Sequence, residues 1–136
     1  MELAYKVTSL GGRSSQVQIG AHTLQFNIPD GTGHSGPGAL AVFVAAAGAC
    51  AFYFASGVLQ AQDVPSENLS IDVRAVTDPE PRRHLKSIVV TARLAPPAAH
   101  LAEEVRAAIE GCPVHGTFCL PPEASVEIDV GTPAAT

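Results

Sequence analysis

The feature that most constrains this chain is an uncharged run of residues from Gly31 to Gln60, with Cys50 inside it. Between Ala39 and Leu59 the run contains neither a charged residue nor a proline. Because an α-helix rises 1.5 Å per residue, a helix over this stretch is about 30 Å long. Such a helix is apolar on every side, so it needs either burial within protein or a lipid environment.

A membrane span is one explanation of the run, because about 20 apolar residues suffice to cross a bilayer. The composition favours burial instead, since alanine and glycine make up much of the run and no Lys or Arg flanks it. The nearest charges on the two sides are Asp30 and Asp63, both negative. We therefore predict a helix buried within protein, and no membrane association.

The bulk composition narrows the class of protein. The length of 136 residues is typical of one domain, and we predict a single domain over residues 1–136. Only 15% of the residues are charged, which together with an all-apolar helix indicates that a second subunit covers part of the surface. The net charge of −5 and the absence of a Lys/Arg cluster argue against nucleic-acid binding.

The cysteine count and the start of the chain indicate a compartment. Three cysteines are an odd number, and Glu2 and Lys6 within a strand-like pattern do not resemble a signal peptide. Free thiols in a reducing environment are therefore expected, and we predict a cytoplasmic protein.

The alternation of apolar and polar residues predicts six strands. Three precede the long helix, at residues 2–9, 16–19 and 23–28. Two follow it, at 69–75 and about 85–94, and the sixth covers 126–130. After Pro96-Pro97 an apolar stripe predicts an amphipathic helix that ends at Gly111, and a short segment, 112–119, comes next. The order βββ-α-ββ-αα-β indicates an α+β fold.

Of the three cysteines, Cys112 has the neighbouring residues that most clearly predict its structural position. It precedes Pro113, and proline is favoured at the first position of a helix, so Cys112 is a candidate N-cap. The unpaired N–H groups of a helix start favour a thiolate. The alternative is a cysteine that simply packs in a turn.

The remaining candidate residues have plain structural explanations as well. Cys50 lies in mid-helix and suits a buried core cysteine. Cys112, His115 and Cys119 form C-x2-H-x3-C, which resembles half of a zinc site but has no second half, so we predict no metal. Arg13 follows Gly11-Gly12 and suits a surface loop, unless a thiolate lies beside it.

These residues together resemble the OsmC/Ohr superfamily, the osmotically inducible and organic-hydroperoxide-resistance proteins. The resemblance runs from Gly11 to about Val130 in the same element order. The motifs that carry it are GGR at 11–13, GPGALAVFVAAAGAC at 36–50, ENLSIDVRA at 67–75 and EGCPVHGT at 110–117.

The resemblance implies a fold and an activity. The fold is an intertwined homodimer whose long helices are buried between sheets. The activity is the reduction of organic hydroperoxides, with Cys50 as the peroxidatic thiol, Cys112 as the resolving thiol and Arg13 holding the thiolate. An external dithiol, lipoyl-type in relatives, restores the reduced protein, and no cofactor is implied. Such a role requires the pKa of Cys50 to lie below the roughly 8.5 of a free thiol.

One departure from the family pattern favours a second hypothesis. The hydroperoxide-reductase branches carry a Pro-Glu pair at the start of the long helix, and that glutamate pairs with the arginine. The corresponding stretch here is GALA, at 38–41, and no acidic residue lies between Asp30 and Asp63. A dimeric module that binds a small apolar ligand without turnover is therefore the alternative function.

Overall fold

The computed structural model describes residues 1–131, which form an α+β fold of small antiparallel sheets and three α-helices. The strands in this range are β1 (Val7–Gly11), β2 (Ser14–Ile19), β3 (His22–Phe26), β4 (Ile28–Pro29), β5 (Ser35–Gly36), β6 (Leu69–Asp78) and β7 (His84–Leu94). The helices are α1 (Ala39–Ala61), α2 (Ala102–Glu110) and α3 (Pro113–Cys119). The chain divides into two compact units, residues 43–124 and the segments that flank them.

The N-terminal unit is built on the predicted three-stranded meander. β1, β2 and β3 pair in order and antiparallel, and Gly11 pairs with Ser14 across a two-residue turn. Gly12 takes a left-handed φ of 54° in that turn, a conformation that glycine adopts without steric cost, and Arg13 follows it. The first strand begins at Val7, later than predicted, and the side chains of Leu3 and Tyr5 before it are exposed.

The larger unit contains the β6–β7 hairpin, α2, α3 and most of α1. β6 and β7 pair antiparallel from Leu69 with Leu94 to Asp78 with His84, which confirms both predicted strands. A 3-10 turn (Pro96–Leu101) leads into α2, which starts later than the predicted helix because the first turn winds more tightly. The apolar side chains of these elements form one core cluster: Ala55, Leu59, Leu69, Ala98, Leu101 and Val105.

One stripe of α1 is buried, and small residues dominate it. Ala47, Ala51, Ala55 and Leu59 follow one another at intervals of four, which places them on one side of the helix. Gly48 lies beside this stripe, where an added Cβ would come 2.5 Å from Cγ2 of Val73 on β6. The absence of a side chain at Gly48 therefore allows the helix to approach the hairpin.

Much of the rest of α1 is exposed or only half-buried in the single chain, contrary to the expectation of burial on every side. Phe43 is 47% exposed and Tyr53 is 73% exposed. The physical reason is that one hairpin can cover only one face of a helix. In the most apolar stretch of 18 residues in this helix, only 28% is buried. By length and composition the helix would be able to cross a membrane. Core helices of other proteins share that length and composition.

The predicted sixth strand at 126–130 is wrong for the single chain. Residues 121–130 form neither helix nor strand, and Val126, Ile128 and Val130 are 88%, 81% and 92% exposed. Alternation of apolar and polar residues indicates a strand only where a sheet edge is available to pair with it. The segment does not pair with any strand of the described residues.

We expect Gly48→Ala to destabilise the protein by about 1–3 kcal/mol, because the new methyl group overlaps Val73. Gly57→Ala is the matched control, since a Cβ there meets nothing within 4 Å and alanine favours the helix. Urea unfolding of both variants measures the free energy of unfolding. The double variant Gly48→Ala/Val73→Ala should be destabilised by less than the sum of the two single variants. Strict additivity of the two changes in unfolding free energy would contradict the contact.

Candidate functional site

The structure brings Cys50 and Cys112 together within the larger unit, although 62 positions separate them in the sequence. Cys50 lies on α1 and is half-buried, whereas Cys112 is only 2% exposed. The backbone N–H of Val114 and the thiol of Cys112 both act on Cys50. The pair therefore joins the middle of the long helix to the beginning of α3.

Cys112 is the N-cap of α3, as its position before Pro113 predicts. Its Sγ accepts a hydrogen bond from the backbone N–H of His115 at 3.4 Å. Pro113 occupies the first helical position, where its lack of an N–H costs nothing. The cap fixes the Cys112 thiol at the helix start, on the side from which α1 presents Cys50.

The electrostatic setting of Cys50 in the single chain favours the protonated thiol. Burial raises the pKa of Cys50 above its ordinary value of 9.0, and the neighbouring Cys112 thiol raises the pKa further. The hydrogen bond from the Val114 N–H opposes both effects. The net direction is the reverse of the lowered pKa that a peroxidatic thiol requires, so these contacts alone do not activate Cys50.

Arg13, the third predicted site residue, belongs to the N-terminal unit. It lies exposed in the turn between β1 and β2. The ion pair found within residues 1–131 joins Arg93 to Asp72, on β7 and β6, and does not include Arg13. The first turn of α1 carries no acidic residue, so the carboxylate that pairs with this arginine in hydroperoxide reductases has no counterpart there.

A cavity of about 550 Å³ opens beside Cys112, within the larger unit. Its apolar wall comes from α1, β7 and α2, through Ala47, Ala51, Ile88, Val90, Ala92, Leu94, Ala102, Val105 and Ile109. Thr91, Arg106 and Glu110 add polar groups, and α3 adds Cys112, Val114, His115, Phe118 and Cys119. A mostly apolar cavity with a few polar groups is typical of a site for a small organic molecule.

Aromatic packing accompanies the site on one side. Phe43 of α1 and Phe118 of α3 meet edge to face, with ring centroids 5.7 Å apart. Tyr53 and Phe54, which follow Cys50 on α1, contact each other, and Tyr53 is largely exposed. Phe118 is thus the aromatic residue among these that lines the cavity.

The sequence did not predict the pair of His115 and Cys119. The His115 Nε2 lies 3.5 Å from the Cys119 Sγ, one helical turn further along α3. The spacing of four residues was the available signal, because such residues share a helix face. Among residues 1–131 no group of three or more His, Cys, Asp or Glu side chains is arranged to hold a metal ion.

Comparisons with known proteins agree with this fold. A family model described as OsmC-like protein matches residues 31–127. The chain is similar to the crystal structure of an OsmC-like protein from Mycoplasma pneumoniae, with 18% identity, a TM-score of 0.69, and coverage of 89% of this chain and 91% of that one. No curated protein matches.

A second solved structure gives the same result. It is a protein from Psychrobacter arcticus 273-4 named for an osmotic stress and detoxification response. The identity is 12%, the TM-score is 0.67, and the match covers 86% of this chain and 88% of that one. The fold and the family match together show that the chain belongs to the OsmC-like family.

The raised pKa of Cys50 predicts a specific pH dependence. Only the thiolate reacts, so in the Arg13→Ala variant, where the contacts described above alone set the pKa of Cys50, alkylation of Cys50 by iodoacetamide should accelerate about tenfold per pH unit across neutral pH and continue to rise past pH 9.0. Peptide mapping by mass spectrometry separates Cys50 from Cys112 and Cys119. A rate that levels off below pH 8 in this variant would contradict the expectation.

Proposed function

We propose that this protein is a thiol-dependent peroxidase that reduces organic hydroperoxides through Cys50 and Cys112. The observation that carries the proposal is the meeting of the two thiols from distant parts of the chain, with Cys112 on the wall of a mostly apolar cavity. A pair of adjacent thiols can store two oxidising equivalents as a disulfide. Membership of a family that includes peroxidases supports the assignment.

The reaction has three steps in this proposal. The Cys50 thiolate attacks one peroxide oxygen, the O–O bond breaks, and the alcohol leaves, so that Cys50 becomes a sulfenic acid. The Cys112 thiol then attacks the Cys50 sulfur, a disulfide forms and water leaves. An external dithiol, of the lipoyl type or similar, reduces the disulfide by exchange and returns both thiols. No metal or organic cofactor takes part.

The pKa of Cys50 sets a requirement that the larger unit alone does not meet. Burial favours the neutral thiol, so a cation must stabilise the thiolate for reaction at neutral pH. We assign this role to Arg13, because a guanidinium remains charged at every physiological pH. The GGR turn presents Arg13 without an ion-pair partner among residues 1–131, which leaves its charge available.

The apolar cavity suggests which peroxides are accepted. Burial of an organic group gains about 25 cal/mol for each Å² of apolar surface, whereas hydrogen peroxide offers no such surface. The cavity wall is formed mainly by aliphatic side chains and by Phe118. The proposed substrates are therefore organic hydroperoxides.

The proposal includes a homodimer in the cytoplasm. α1 exposes Phe43, Phe52 and Tyr53 in the single chain, and Val126, Ile128 and Val130 lie exposed on an unpaired extended segment. Apolar surface of this extent on helical and extended segments is typical of subunit interfaces. Free thiols at all three cysteines suit a reducing compartment.

A second candidate is a dimeric module that binds a small apolar ligand without turnover. The raised pKa of Cys50 and the missing acidic residue in the first turn of α1 favour it. In this case the cavity would hold the ligand, and Cys112 would serve as a packed N-cap residue.

We expect one equivalent of cumene hydroperoxide to remove two thiols from the reduced protein and to join Cys50 to Cys112. The measurement is a free-thiol count with disulfide mapping by mass spectrometry. Cys50→Ser should abolish the reaction, and Cys112→Ser should stop at the sulfenic acid, which dimedone traps. Three unreactive thiols would leave the ligand-binding module as the function.

The proposed role of Arg13 is checked in the same assay. Arg13→Ala should slow the loss of Cys50 thiol at pH 7 by about tenfold or more, with a smaller effect at pH 10, where the thiolate forms without help. Arg93→Ala is the matched control, because Arg93 already pairs with Asp72. An equal loss at both pH values would contradict a role in stabilising the thiolate.

The dimer is expected to form at micromolar concentration. Sedimentation velocity gives the mass directly, and twice the chain mass of 14.0 kDa is the expected result. Tyr53→Glu places a charge on the most exposed aromatic residue of α1 and should raise the dissociation constant. A monomeric wild-type protein at these concentrations would contradict the proposed assembly.

A further inference from the structure

We propose that Cys119 is a third redox thiol, which takes over the disulfide from Cys50 and Cys112 and presents it to the external reductant. The proposal rests on the Cys50–Cys112 disulfide of the proposed function. Its starting point is His115, whose backbone N–H donates to the Cys112 Sγ at 3.4 Å and whose Nε2 lies 3.5 Å from the Cys119 Sγ. His115 therefore contacts both thiols, and Cys112, His115 and Cys119 all line the same cavity.

The three thiols differ in accessibility in the order that such a transfer needs. Cys112 is 2% exposed, Cys50 is half-buried and Cys119 is exposed. Exchange with a dithiol requires direct attack on one sulfur of the disulfide. A bond between Cys50 and Cys112 offers a dithiol one half-buried and one buried sulfur, whereas a bond that includes Cys119 has an exposed sulfur.

The intact helix α3 keeps Cys112 and Cys119 apart. They stand seven positions apart, so their Cα atoms are about 10 Å from each other along the axis, whereas a disulfide needs about 7 Å or less. The transfer therefore requires α3 to unwind in part. The helix thus decides whether the disulfide stays on Cys50 or moves to Cys119.

The composition of α3 makes that unwinding easy. The six residues after Pro113, VHGTFC, rank low in helix propensity, and Gly116 lies in the middle of α3. None of the seven residues of α3 is buried, so little packing is lost when the turns open. Among the contacts that oppose the opening are the edge-to-face packing of Phe118 on Phe43 and the hydrogen bond from the Thr117 hydroxyl to the Pro113 carbonyl.

The transfer is a balanced thiol–disulfide exchange. The His115 Nε2, with the ring proton on Nδ1, accepts the proton of Cys119. The Cys119 thiolate attacks the Cys112 sulfur, the Cys112–Cys119 bond forms, and the Cys50–Cys112 bond breaks with Cys50 leaving as a thiolate. No electrons are gained or lost, and Cys50 becomes ready for a new peroxide. A dithiol then supplies the two electrons and two protons that open the Cys112–Cys119 bond.

The experiment starts from the disulfide made without peroxide. Diamide oxidises the full-length protein, acid stops the exchange at timed intervals, and N-ethylmaleimide labels the free thiols before disulfide mapping by mass spectrometry. We expect Cys50–Cys112 first and Cys112–Cys119 later. Cys119→Ser should stop at Cys50–Cys112, and dithiothreitol should reduce this variant at least tenfold more slowly than the wild type. His115→Phe should slow the transfer by about tenfold or more, because the proton acceptor is lost.

Gly116→Ala tests the unwinding step itself. A Cβ there meets nothing within 4 Å, so the change strengthens the helix without a clash and should slow the transfer about fivefold. Gly57→Ala in α1 is the matched control and should leave the transfer unchanged. The Cys50–Cys112 bond should form at the wild-type rate in both variants.

Each outcome decides between the proposals. Appearance of Cys112–Cys119, with slowing by Gly116→Ala and not by Gly57→Ala, supports the transfer. A permanently free Cys119, wild-type reduction of Cys119→Ser, or failure of diamide to join Cys50 to Cys112 overturns it. If diamide forms the bonds and cumene hydroperoxide does not, the transfer stands and the peroxidase function fails alone.

Discussion

The close approach of α1 to the β6–β7 hairpin is the constraint on which the larger unit depends. Gly48 lies where any side chain would overlap Val73. The alanines at four-residue intervals beside it have small side chains, so they let the helix approach its neighbours closely. This spacing brings Ala47 and Ala51 to the wall of the cavity together with residues of β7. Cys50, two residues after Gly48, is thereby placed next to Cys112 and Val114 at the start of α3. The small residues before the cysteine are a packing requirement of the site.

The same burial that positions Cys50 works against its ionisation. A thiol in an apolar setting stays protonated, and a neighbouring thiol strengthens that effect because it would face a second negative charge. Position and activation must therefore come from different parts of the protein. α1 and α3 supply the position, and the proposed source of activation is Arg13 on the other unit. In the proposed site the two cysteines alone are therefore not sufficient, because the group that stabilises the thiolate is a separate residue.

Much of the fold could be predicted from the sequence, because local periodicity records it. The alternation in β6 and β7, the stripe of α2 and the Cys112-Pro113 cap were all readable. The two largest failures share one cause. The exposed faces of α1 and the unpaired segment at 126–130 carry patterns that need a partner surface, and the single chain does not supply it. The close approach of Gly48 to Val73 could not be predicted, since it depends on a tertiary contact between α1 and β6.

In the proposed site, the missing acidic residue at the start of α1 affects how firmly Arg13 is oriented more than it affects the charge of Arg13. A carboxylate beside a guanidinium fixes its direction through paired hydrogen bonds, but it also offsets the positive charge felt by a nearby thiolate. In the proposed site the full charge of Arg13 acts on Cys50 without that partner, at the cost of ordering a flexible side chain at each encounter. The proposed consequence is a Cys50 thiolate as stable as in the hydroperoxide-reductase branches that carry the glutamate. The peroxide, however, is aligned less precisely. Selectivity then depends on the apolar wall of the cavity.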